Sequence, residues 1–373
     1  MIRVLLCTPY LQKTNVVTGG INIWGNHIIK YYDSVDSNVS ITPISFDRVF
    51  DVQETTGLLS RIYHGLKDYK SSINVAIKHI ISGDVDLLHL CTSAQISLFK
   101  DWYILWKAKR YGVKTTIHFH FGRIPEIVAK KNWEGRMIIR ICNIADGIIV
   151  MDKKSLECLC SLGYKNVFYL PNPLSMDIIN QIECASQTIT RIRNRILYVG
   201  HVIPTKGVYE LVEACSKLND IELHLIGTVE DKVRADLLDL ASNDGVASWL
   251  KICGSIPHTE AIKEMMSSKI FILPSYTEGF PNVILESMAA SCVVIATDVG
   301  AIPEMLDFDT DYACGVKLEV KSVESIKNNL SLILNDDELM KKLSKQAKKK
   351  VLDTYSMPIV WKQLEEIWIN TNR

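Results

Sequence analysis

Short apolar runs alternate with longer amphipathic stretches along this chain. Residues 2–7 read as a buried strand, and residues 86–90, 115–119, 147–151 and 167–170 read the same way. Between them lie stretches whose apolar residues recur at helical spacing, such as 21–32 and 96–111. Strands that alternate with helices need crossover connections, which predicts a parallel sheet covered by helices. The pattern then restarts. Residues 195–199, 222–226, 251–253, 270–273 and 293–296 form a second strand series. Helical stretches follow most of these, at 208–218, 231–242, 259–267 and 283–290.

The break between the two series falls in residues 171–193, which begin with Pro171, Asn172 and Pro173 and continue with few large apolar residues. It reads as the connection between two domains, followed by a short segment whose structure the pattern leaves undecided. The tail, 323–370, reads as helices interrupted at Met357-Pro358, because proline does not continue a helix that precedes it. The expected organisation is a first domain over 1–172, a second over 173–355, and a last helix over 356–373.

With 373 residues, two domains of ordinary size each have enough chain for a core. Lys+Arg and Asp+Glu are both 42, so no global positive field recruits nucleic acid. The ten cysteines are scattered without zinc-ligand spacing, which fits a reducing cytosol and predicts no metal. The first residues, MIRVLLCTPY, lack the long apolar core of a signal peptide. No apolar run reaches about 20 residues, so no membrane-spanning helix is expected.

Chemistry concentrates in 274–304, PSYTEGFPNVILESMAASCVVIATDVGAIPE. A strand runs into a turn holding Gly279 and Pro281, and a helix is expected to start at Asn282 as its cap. Helix starts offer unpaired N–H groups and favour negative charge, so a diphosphate fits there. Glu278 and Glu286 flank that point. Carboxylates accept hydrogen bonds, which suits sugar and ribose hydroxyls better than phosphates. Two glutamates eight apart also arise by chance, as a loop residue and a solvated helix residue.

A second segment, 197–214, reads LYVGHVIPTKGVYELVEA. It places Gly200 and His201 after a strand and Lys206 before a helix, where a lysine reaches phosphate as a mobile point charge. Thr18-Gly19-Gly20 lies between the first strand and first helix, where glycines permit close backbone approach to a ligand or simply a tight turn. His118 and His120 end a strand on one face. His120 lies nearer the carboxyl end, where open α/β sheets bind ligands, and no third ligand completes a metal pair. Residues 100–140 carry ten basic and three acidic residues, among them Trp102, Tyr103, Trp106 and Trp133. These aromatics are either core residues or a basic–aromatic face resting on anionic lipid.

The E-x7-E spacing Glu278-GFPNVIL-Glu286, the small-residue run after it and Lys206 resemble the family 4 glycosyltransferases. The departures are Pro281, Ser291 and Ala301 at positions where glycine is common, and His201 where arginine is usual. The resemblance implies two Rossmann-like domains facing across a cleft, the GT-B arrangement, with the last helix crossing back to the first domain. It implies a retaining transfer of a hexose-type sugar from a nucleoside diphosphate sugar to an acceptor hydroxyl, without metal or cofactor. Catalytic roles fall on Glu278, Lys206 and His120. Donor contacts fall on Gly19, Gly20, His201, Gly279, Phe280, Asn282, Val283 and Glu286. The expected acceptor is a bacterial polysaccharide or lipid-linked glycan, reached from the cytoplasmic side. Two rivals stand beside this reading: a nucleotide-sugar 2-epimerase on the same fold, and a scaffold subunit without activity.

Overall fold

The computed structural model describes residues 1–10, 20–46, 58–186, 188–241 and 247–373, with residues 58–69 described by their backbone alone. Thr18 and Gly19 of the glycine loop lie outside the described residues. The chain divides into two compact units, one made of Met1–Pro173 with Pro358–Arg373 and the other of Leu174–Met357.

The first unit runs β1 (Ile2–Thr8), α1 (Gly20–Tyr32), β2 (Val39–Ser45), α2 (Leu58–Ser82), β3 (Leu87–Thr92), α3 (Ser97–Arg110), β4 (Lys114–Phe119), α4 (Ile124–Ala129), α5 (Trp133–Cys142), β5 (Gly147–Val150), α6 (Lys153–Ser161) and β6 (Val167–Tyr169). Its six strands lie in the order β2-β1-β3-β4-β5-β6. Every pair is parallel.

β2 was not expected from the pattern, because Ser40, Thr42 and Pro43 interrupt its apolar residues. Its position explains them: the strand sits at the sheet edge, where proline is tolerated and one face stays open. Val39, Ile41 and Ile44 alone turn inward.

The second unit begins with α7 (Met176–Ala185) and β7 (Ile192–Val199). A single 3-10 turn, Pro204–Lys206, leads to α8 (Val208–Cys215), β8 (Glu222–Ile226), α9 (Asp231–Ala241), β9 (Leu250–Gly254), α10 (His258–Ser267), β10 (Ser268–Leu273) and α11 (Asn282–Ala289). β11 (Val293–Thr297), α12 (Ile302–Leu306), β12 (Gly315–Leu318), α13 (Val323–Asn335) and α14 (Asp337–Tyr355) complete it. The strand order is β12-β11-β10-β7-β8-β9, again parallel throughout. Residues 270–273 and 293–296 are essentially inaccessible on both faces, as central parallel strands covered by helices must be.

The stretch between the two strand series contains α7. Ser175 caps it, accepting a hydrogen bond from the Ile178 N–H, and Ile178, Ile179 and Ile182 bury one face. Its apolar residues are few but helically spaced, which is enough for a short amphipathic helix. The tail breaks twice rather than once. Asp336 ends α13 and caps α14 through the Leu339 N–H, and α15 (Met357–Asn372) starts where Pro358 falls in its first turn.

From Pro358 onward α15 belongs to the first unit. Trp361 packs on Tyr31 and Tyr32, Glu365 accepts a hydrogen bond from Ser37, and the Trp368 indole N–H donates to His89 Nδ1 at 2.9 Å. All ten cysteines are free thiols. Among the described residues, no helix is long and apolar enough to cross a membrane.

Candidate functional site

In the second unit the strand order places β7 between β10 and β8. The connections therefore leave β7 and β10 in opposite directions, toward β8 and β11. This is the switch point at which open α/β sheets bind ligands. The loop after β7 carries Gly200, His201 and Lys206. The loop after β10 carries Glu278, Gly279 and Phe280.

The two loops are locked together. The Lys206 ammonium lies 2.5 Å from Glu278 Oε1, with both side chains largely shielded from solvent. Tyr276 N–H donates to the Thr205 carbonyl at 3.0 Å, and Tyr276 Oη donates to Glu210 at 2.6 Å. Burial, and then the Glu210 carboxylate, push the Tyr276 phenol up to about 12. Gly207 holds φ 70°, and a Cβ there would stand 2.2 Å from the Pro274 carbonyl oxygen. Glycine is required at this crossing because two backbones touch.

A matching constraint lies behind Lys206. Gly200 and Gly227 follow β7 and β8, and the Gly227 N–H donates to the Gly254 carbonyl at the end of β9. A Cβ at Gly227, which has φ 141°, would fall 1.8 Å from the Gly200 carbonyl oxygen. The Tyr198 hydroxyl donates to the His201 carbonyl at 2.7 Å. The His201 side chain itself is exposed.

Glu278 and Gly279 are pinned from the far side. The Gly279 carbonyl accepts from Ala301 N–H at 2.9 Å, and a Cβ at Gly300 would strike the Glu278 and Gly279 carbonyls. Ala301, expected only as a tolerated replacement for glycine, thus supplies the N–H that fixes this loop. Phe280, expected to face the donor, turns inward instead and packs on Tyr355 at 5.9 Å. Its ring is too apolar to leave that contact for water, so it anchors the loop.

Helix α11 opens at Asn282, but Asn282 is its first helical residue. Pro281 occupies the cap and gives no side-chain cap bond. The expected cap role for Asn282 is corrected accordingly: Pro281 with φ −75° already sets the entry into the helix. Val283 is half-buried beside it. Glu286 lies in the second turn, and its Oε1 stands 3.0 Å from His258 Nε2. That hydrogen bond holds the His258 imidazole above its ordinary pKa.

Gly20 opens α1 in the first unit with nothing within 4 Å of where a Cβ would be. Among the described residues no neighbouring backbone requires a glycine there.

His118 and His120 do share a face, with ring centroids 3.9 Å apart. They are not alone. β3 pairs with β4 so that Cys91 stands opposite His118, and His89 lies two residues back on the same face. One donor atom from each of His89, Cys91 and His118 lies within 4.8 Å of the others. The reading that no third ligand stands near the histidines is corrected: strand pairing brings together residues distant in sequence. Trp24 stacks on His89 and meets His118 and His120 edge-on. Both His118 ring nitrogens, His89 Nε2 and His120 Nε2 are buried with no hydrogen-bond partner among the described residues. Burial drives the His89 and His120 imidazoles down to about 3, and His118 well below its ordinary value. It also pushes the Cys91 thiol up. The cluster is therefore a buried, neutral group of imidazoles and a thiol. Trp24, His89, Cys91 and Trp368 escaped sequence reading because each sits in an ordinary apolar run; only the period-2 placement of His89 and Cys91 hinted at a shared face.

Residues 184–350 match the family model described as glycosyl transferases group 1. The chain is 28% identical over 179 residues to the capsular polysaccharide biosynthesis glycosyltransferase CapM of Staphylococcus aureus, covering 46% of this chain and 44% of that one. It is 28% identical over 255 residues to an N-acetylgalactosaminyltransferase of Campylobacter jejuni whose name gives a diphospho-undecaprenol-linked acceptor, covering 66% and 68%. The chain thus spans less than half the length of the first of these relatives.

Solved structures resemble it over almost the whole chain. A sucrose-phosphate synthase from Thermosynechococcus elongatus superposes with TM-score 0.71 at 16% identity, covering 99% of both chains. Anabaena Alr3699/HepE in complex with UDP superposes with TM-score 0.71 at 13% identity, covering 99% and 100%. At such identities these establish the fold, two parallel six-stranded sheets with helices as in GT-B glycosyltransferases. The switch-point site lies inside the segment that matches the group 1 glycosyl transferases.

Proposed function

We propose that the chain moves a hexose-type sugar from a nucleoside diphosphate sugar to an acceptor hydroxyl, with retention at the anomeric carbon, in bacterial polysaccharide or lipid-linked glycan synthesis. The observation that carries this reading is the Lys206–Glu278 pair at the switch point between β7 and β10. A cation and an acceptor carboxylate, fixed side by side beside the start of α11, match the two halves of a sugar diphosphate. The names of the relatives supply the substrate class.

In this mechanism the donor diphosphate takes Lys206 from Glu278. Lys206 and the first N–H groups of α11 neutralise charge as it develops on the leaving group. Glu278, released, accepts a hydrogen bond from a sugar hydroxyl. Glu286 accepts from the ribose, with His258 orienting its carboxylate. The acceptor oxygen bonds to the anomeric carbon as the bond to the diphosphate breaks. The bonding pair leaves with the diphosphate, and the acceptor proton passes to a leaving phosphate oxygen. His201 borders the diphosphate as a hydrogen-bond donor, with Gly279 and Val283 lining the donor.

A ligand that binds the native state alone raises its melting temperature. A thermal-shift screen of UDP-, GDP- and ADP-sugars is expected to give one responsive base, with the response lost in Lys206→Ala. No shift with any of them would overturn the donor-site reading.

A further inference from the structure

α3 buries one face and leaves a second apolar face open. Leu98, Ile104, Leu105 and Ala108 point into the core of the first unit, with Asp101 held among them by Lys100. That face alone accounts for the packing of the helix. On the opposite side stand Ile96, Phe99, Tyr103, Trp106 and Arg110, spaced 3, 4, 3 and 4 residues apart, all exposed. Ile96 is 79% exposed and Phe99 53%. The stripe is about 21 Å long at 1.5 Å per residue. The helix is therefore amphipathic twice over, and folding explains only one face.

Trp133 of α5, 47% exposed, widens the stripe by stacking on Phe99 with ring centroids 5.6 Å apart. Tyr103 and Trp106 stack at 6.2 Å. Lys107 Nζ lies 5.4 Å and the Arg110 guanidinium 5.8 Å from the Trp106 ring centroid. Lys130, Lys131 and Arg136 are exposed beside α5. Trp102, by contrast, is half-buried and packs against the core.

We infer that this face docks on an anionic bilayer. Three features choose lipid over a protein partner. Beside Ile96 and Phe99 the face carries three amphipathic rings, Tyr103, Trp106 and Trp133, and such rings settle at headgroup depth. Lys107 and Arg110 lie over the Trp106 ring, where phosphate headgroups would meet them while the rings enter the acyl boundary. Positive charge here is local, in a chain whose Lys+Arg and Asp+Glu are equal, so it is placed rather than general. None of these residues belongs to the Lys206–Glu278 site, and the inference stands without the proposed transfer.

The test is sedimentation of the whole protein with vesicles of phosphatidylcholine alone or mixed equally with phosphatidylglycerol, at low and high salt. Binding is expected only to the mixed vesicles and is expected to weaken with salt. Lys107→Ala with Arg110→Ala should weaken it by about 25-fold, about fivefold for each charge near an anionic surface. Phe99→Ser with Trp106→Ser should abolish retention and remove the quenching of tryptophan fluorescence by brominated lipid. Both pairs lie on the surface, so unchanged melting temperatures report an intact fold. Equal binding to neutral vesicles, or wild-type retention by either pair, overturns the inference. So does concentration-dependent self-association that the serine pair removes while no vesicle binds.

Discussion

Lys206 faces two competing partners in this reading, Glu278 in the free protein and phosphate in the complex. Lys206→Ala should lower turnover by about 10²–10³-fold if Lys206 acts on developing charge in the transition state. Turnover should fall more than KM rises, which steady-state kinetics separates. Gly227 tests the frame behind it. A Cβ there overlaps the Gly200 carbonyl oxygen at φ 141°. Gly227→Ala should therefore cost at least about 1–3 kcal/mol of stability from backbone strain, measured by urea unfolding. The same substitution at Gly20, where space is open, should change stability by a few tenths of that.

At the scale of elements, α15 carries the clearest energetic prediction. Trp368 is fully buried and bonded to His89. Trp368→Ala should cost about 3–5 kcal/mol. Trp368→Phe, which keeps most of the packing and loses the hydrogen bond, should cost about 1–3 kcal/mol, because it leaves His89 Nδ1 unpaired in the interior. Thermal melts with amide exchange on residues 358–372 check both.

Most central strands were legible because both their faces are buried and they read as unbroken apolar runs, as at 270–273 and 293–296. Of the four edge strands β6 and β9 were legible and β2 and β12 were not, because Ser40, Thr42 and Pro43 interrupt β2 and the four residues of β12 include Gly315 and Lys317. Lys206, Glu278 and Glu286 were legible as a motif. What they touch was not: the His258 partner and the Ala301 N–H lie on other elements, and only the fold brings them near. Phe280 looked like a ligand contact for the same reason, because spacing shows neighbours along the chain and not the inward turn of a ring.

At the scale of the whole molecule, the buried imidazoles of the first unit set its response to acid. His89 and His120 titrate at about 3 when folded, and about 6.5 is the ordinary value for an unfolded histidine. Between these limits the unfolded chain binds protons that the folded chain refuses. Stability therefore falls as pH drops from about 6.5 toward 3, by up to about 1.4 kcal/mol per pH unit for each such imidazole. His258 runs the other way: its raised pKa lends stability below about 6.5, which is lost as pH rises through the raised value. Its exposure keeps that contribution small. Urea titrations between about pH 4 and 7 should show a steeper decline for the wild type than for His118→Gln with His120→Gln.

The return of α15 to the first unit has a consequence for biosynthesis. The sheet of that unit can be assembled once residue 173 has been made, yet the histidine face that Trp368 covers stays open until synthesis reaches α15. The second unit is translated in the interval and has every opportunity to fold first. A nascent chain arrested before residue 358 would carry one finished unit and one with an uncovered interior, the kind of surface that chaperones hold and proteases find.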